Sequence, residues 1–114
     1  MKNDPRPDLH RKAYDHALDL FRAVSCEHEA PDFELSVEIR KAAQDTVRHL
    51  SPELESEEGL DAASGSVARL ETLLLLARDL ASFPGADLDD YRARADGIGA
   101  GIRRAISWMR KSGD

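Results

Sequence analysis

Cysteine is nearly absent, aromatic residues are scarce and no apolar run is long, and each shortage closes off a class of protein. The single cysteine, Cys26, cannot form an intramolecular disulfide, so packing and not covalent stapling must hold the fold. Aromatic residues make up only 5% of the chain. The core must therefore come from Leu, Ala, Ile and Val, a palette that suits helices better than a sheet. No apolar stretch reaches the roughly 20 residues of a membrane span, because Arg69, Glu71, Arg78 and Asp79 interrupt even the Leu-rich segment 60–83. The opening MKNDPRPDLH lacks the apolar centre of a secretory signal, which makes the cytoplasm the expected compartment. No membrane partner is expected.

Catalytic and metal-binding patterns are missing as well. No Ser, Cys or Lys stands with a base and an orienting group at motif spacing, so the reading is not an enzyme. Di-iron bundles need Glu-x-x-His, and the residues three before His10, His16, His28 and His49 are Pro7, Ala13, Ser25 and Thr46. Cys26 and His28 supply two ligands where a tetrahedral site needs four. Neither metal nor cofactor is expected. The string Gly97-Ile98-Gly99-Ala100-Gly101 has no preceding strand and no following Lys-Ser or Lys-Thr, so it reads as room for a close helix neighbour and not as a phosphate loop. Gly65-Ser66 reads the same way.

What the chain does have is helical periodicity. Its 114 residues, 41% of them hydrophobic, make one domain. The dominant stretch is Leu60 to Phe83, where Leu60, Ala63, Val67, Leu70, Leu74, Ala77 and Ala81 step by three and four along one stripe. A second stripe of Leu73, Leu76, Leu80 and Phe83 lies about 100° round the same helix. Pro84-Gly85 is the predicted stop.

Before this helix, Asp8 is a predicted cap for a first helix to about Cys26, with Leu9, Ala13, Ala17, Leu20 and Val24 inward and Tyr14, Leu18 and Phe21 flanking them. A second helix after Asp32 buries Leu35, Ile39, Ala42, Ala43, Thr46 and Leu50 and ends at Leu50, where Ser51-Pro52 offers a new cap. A fourth, capped by Asp87, repeats the pattern at Leu88, Tyr91, Ala95, Ile98, Ile102, Ala105 and Met109. The prediction is an all-α, up-down-up-down, left-handed four-helix bundle over residues 8–111, with a disordered 1–7 and a frayed 112–114.

Two surfaces stand out. The second stripe of the third helix exceeds what three sister helices can cover, so Leu73, Leu76, Leu80 and Phe83, with Trp108, are the predicted contacts of a homo-oligomer. Arg92, Arg103 and Arg110 align on one face of the last helix, with Arg104 and Lys111 beside them. That face suits RNA or DNA phosphates, the acidic 53–58 segment of a neighbouring subunit, or plain solvent. The net charge of −6 opposes nucleic acid.

The segment Ala63-Ser64-Gly65-Ser66-Val67-Ala68-Arg69-Leu70-Glu71-Thr72 resembles the A-x-G-S-x-A-E-L-E-T stretch of the bacterial four-helix bundle proteins first noticed as products of 23S ribosomal RNA intervening sequences. Leu35-Ser36-Val37-Glu38-Ile39-Arg40-Lys41-Ala42-Ala43 is similar to that family's L-T-x-Q-L-R-R-A-A helix. With Ala17-Leu18-Asp19-Leu20 and the last helix, the resemblance covers nearly the whole chain. It implies a bundle assembling as a ring or cone of five subunits, and a relation to basic accessory proteins of diversity-generating retroelements that bind a reverse transcriptase and nucleic acid. The family's N-I-A-E-G signature is replaced here by His49-Leu50-Ser51-Pro52-Glu53, and the charge is acidic. The two apolar stripes of the third helix point to a non-enzymatic homo-oligomeric scaffold, for which the resemblance implies five subunits; nucleic-acid binding by the basic face of the last helix is the alternative.

Overall fold

A computed structural model describes residues 4–51 and 56–112. They form four helices, α1 (Arg6–Ala23), α2 (Phe33–His49), α3 (Glu57–Asp79) and α4 (Leu88–Ser112). No strand occurs among the described residues, and no helix there is long and apolar enough to cross a membrane. Each helix packs on the next in sequence and α1 closes on α4, while the diagonal pairs barely meet. This is a four-helix bundle, 52 × 22 × 18 Å.

The helix ends show where local chemistry and packing disagree with simple rules. Asp8 is not the cap of α1. The helix starts at Arg6, with Pro5 at the N-cap and Pro7 in the first turn, because proline's fixed φ is already helical and its missing N–H is not needed there. Order thus reaches back into the stretch predicted to be disordered; residues 1–3 of that stretch, and 113 and 114 of the predicted frayed end, lie outside the described residues. Asp8 serves the helix dipole instead and pairs with Lys12 at 3.3 Å. Of the predicted Ser51-Pro52 cap, Pro52 lies outside the described residues; the N-cap of α3 is Ser56, whose Oγ accepts from the Gly59 N–H at 3.0 Å. Asp87 does cap α4, accepting from the Asp90 N–H at 3.1 Å.

The end of α3 is the larger departure. Periodicity carries the helix to Phe83, but it stops at Asp79. Ala81 turns left-handed at φ 55°, letting the Ser82 N–H reach the Ala77 carbonyl at 2.9 Å and the Ala81 N–H reach that of Arg78 at 3.0 Å. These two bonds make a Schellman cap with alanine where glycine is usual. Phe83 is left-handed too, at φ 53°. A left-handed alanine costs about 1–2 kcal/mol. The return is burial: the turn drives Phe83 to 8% exposure among Leu74, Ala77 and Leu88. It also buries Ser82, whose hydroxyl donates to Asp32 Oδ1 at 3.0 Å. That bond ties the start of α2 to the α3–α4 turn, placing both connections at one end of the bundle.

The predicted core stripes are buried except for Ala81, exposed in the turn after α3, and for Leu35, Tyr91 and Met109, which are half-buried. Leu20, Ile39, Leu70 and Leu74 centre one cluster, and Leu9, Leu60, Val67 and Ile102 the other. Alanines between them let the helices approach closely. One core member was not anticipated: His16 sits on α1 between Ala13 and Leu20, fully buried, its Nε2 donating to the Tyr91 carbonyl at 2.9 Å. Burial holds this imidazole below its ordinary range, against the pull of the Tyr91 carbonyl.

Candidate interaction surfaces

The arginine face of α4 is built into the molecule's own electrostatics. Arg92, Arg103 and Arg110 fall on the flank turned to α3, and α3 answers with carboxylates. Arg110 grips Glu57 with two bonds, Nε to Oε1 at 2.8 Å and Nη2 to Oε2 at 3.2 Å. The pairing lowers the Glu57 pKa and raises that of Arg110. Arg92 approaches Asp89 at 3.4 Å, and Arg92 and Arg103 both act on Glu71, whose carboxyl is nonetheless pushed up by burial and by Asp96. Thus Glu57, placed by sequence reasoning against a neighbouring subunit, is engaged within the chain; residues 53–55 of that segment lie outside the described residues. Arg104 points elsewhere, lining a groove of about 420 Å³ between α1 and α4 beside Lys12 and His16, whereas Lys111 borders a depression with Arg103, Arg110 and Asp61.

The predicted oligomer contacts separate into three kinds. Leu76 and Leu80 project from the bundle, 46% and 62% exposed. Leu73 is half-buried against the core. Phe83 belongs to the core itself, because the left-handed turn swings it inward and off the helical stripe that predicted it outside. Trp108 is half-buried at the far end, with the Arg6 guanidinium 5.1 Å from its ring centroid and its Nε1–H without an acceptor among the described residues.

A second apolar surface was missed. Tyr14, Leu18 and Phe21 flank the α1 core stripe as predicted, but they remain 53%, 39% and 37% exposed. With Val47, Gln44 and Arg48 of α2 they line an open groove of about 440 Å³. Arg40 lies over the outer end, 5.8 Å from the Phe21 ring. The signal was present in the spacing, since 14, 18 and 21 form a row of their own on α1.

The glycines divide similarly. A Cβ on Gly101 would meet Leu9 Cδ1 at 2.8 Å and one on Gly99 would meet Val67 at 3.6 Å, so these two do admit close neighbours. A Cβ added at Gly97 or Gly65 would meet no other part of the molecule within 4 Å, and the predicted close approach does not occur there within the chain. Cys26 packs partly against the core, and His28 stacks on Phe33 at 4.7 Å between centroids. Among the described residues no three His, Cys, Asp or Glu side chains converge as metal ligands. Comparison with protein-family models, curated proteins and solved structures gives no match to this chain.

Proposed function

We propose that the protein is a non-enzymatic, homo-oligomeric helical scaffold. The observation that carries this reading is the outward projection of Leu76 and Leu80 from a helix whose other apolar stripe already fills the core. Large apolar side chains clustered on a surface mark association sites. The resemblance to the intervening-sequence proteins supports an assembly of five. Light scattering or sedimentation at micromolar concentration tests it: an assembly several times the subunit mass is expected, and a 12.6 kDa monomer overturns the reading. Leu76→Glu should dissociate the assembly with helicity retained. Nucleic-acid binding by α4 is the second reading, supported by Arg104 and Lys111, which have no carboxylate partner among the described residues. It calls for a gel shift that weakens steeply with salt.

A further inference from the structure

The exposed apolar surface comes in two patches of opposite shape. One is a ridge, Leu76 and Leu80, a single turn apart near the end of α3. The other is the α1–α2 groove lined by Tyr14, Leu18, Phe21 and Val47. They look out in different directions. The ridge lies on the α2 side of α3, in the row that contains Arg69, which is bonded to Glu38 of α2. The groove lies on the opposite flank of α2, and α1 and α3 are diagonal in the bundle.

Their electrostatic settings differ as well. The only charged residue lining the groove is Arg48, which pairs with Asp45 at 2.9 Å, and Arg40 overlies its Phe21 end. No carboxylate lines it. The ridge sits at the acidic end of the molecule, where Asp79, Asp87, Asp89 and Asp90 outnumber the bases Arg78 and Arg92, which pair with Asp79 and Asp89. A two-fold contact of groove on groove would leave concavity facing concavity. Ridge on ridge would crowd acids and leave the groove wet.

From this we infer that the ridge of one copy docks in the α1–α2 groove of the next, a head-to-tail contact in which each subunit uses two different faces. This rests on the homo-oligomer reading. One such contact covers both patches, fits convex against concave and brings the acidic end towards Arg40 at the groove, and repetition yields a ring wherever the rotation closes.

The test uses two surface variants of the full chain, Leu76→Glu, which spoils the ridge, and Leu18→Lys, which spoils the groove. Circular dichroism should show both folded, since both side chains are partly exposed. Each alone is expected to fall to monomer mass. Mixed at high concentration, they should form a one-to-one pair of twice that mass, because the intact ridge of the groove variant still fits the intact groove of the ridge variant. If the Leu18→Lys protein stays fully assembled while Leu76→Glu dissociates, the head-to-tail contact is wrong and the scaffold reading survives. If the mixture stays monomeric, the head-to-tail contact is also wrong. If wild type is itself a monomer, both readings fall together.

Discussion

The α3–α4 flank and the α1–α2 flank are made by the same kind of amphipathic helix, yet one meets water with paired charges and the other with apolar side chains. Beside the α3–α4 core the outward residues are charged and find partners across the seam, Arg110 with Glu57 and Arg78 with Asp89. Beside the α1–α2 core they are Tyr14, Leu18 and Phe21, which share an open groove with Val47 and Arg48 under the Arg40 guanidinium and stay partly exposed. Exposed ion pairs contribute little stability, so the difference between the flanks is less one of strength than of sufficiency. A charged flank is content with water. An apolar one is where the proposed assembly would add cover.

The comparison can be broken most forcefully on α3, which carries both kinds of position. Leu74→Ala, in the closed core, should cost about 2–5 kcal/mol in urea unfolding through lost burial and a cavity, since Leu74 is fully buried. Leu76→Ala should cost the monomer no more than about 0.5 kcal/mol. Equal losses would mean that the projecting face is part of the monomer's own fold.

A medium effect is expected where α1 closes on α4. The folded state keeps His16 neutral because burial lowers its pKa from 6.5, whereas the unfolded chain takes up a proton near its ordinary value. Stability from this site is therefore fully present above about pH 6.5 and is lost as the pH falls through the lowered folded value. Asp19 and Asp90 favour the charged ring and Arg94 opposes it. Unfolding midpoints should drop from about pH 7 to about pH 5, and His16→Gln should flatten that slope. An unchanged slope in the variant would assign the proton uptake elsewhere.

The smallest expected effect sharpens the comparison at the turn that sets Leu80 outside and Phe83 inside. Ala81→Gly removes the left-handed penalty and should raise stability by about 1 kcal/mol. The same change at Phe83, equally left-handed, should destabilise, because the ring it deletes is buried. A loss at Ala81 would show that the turn is held by something other than its Schellman bonds.

Four helices and their inward stripes were legible because Leu9, Ile39, Leu70 and Ile102 recur with neighbours at helical spacing, and that spacing fixes a common face. Which neighbour stands beside each flank was not legible, since a wheel gives an angle and no partner. That is why the acidic 53–58 segment read as a candidate partner for Arg110 only in a neighbouring subunit, although its Glu57 stands across from Arg110 in the same chain. The stop at Asp79 was hidden because the chain uses alanine where the rule looks for glycine. It is visible only once the burial of Phe83 and the Asp32 bond to Ser82 are counted. His16 was passed over because an imidazole on a core stripe counts as polar until a carbonyl such as that of Tyr91 is found opposite it.

Trp108 is the chain's one tryptophan, and its ring is clamped beneath Arg6, where the last stretch of α4 meets the first turn of α1. Indole emission from this molecule therefore comes from a single joint. Its colour and intensity should report the parting of the two terminal helices without any attached dye, and do so independently of whatever happens at the opposite, acidic pole.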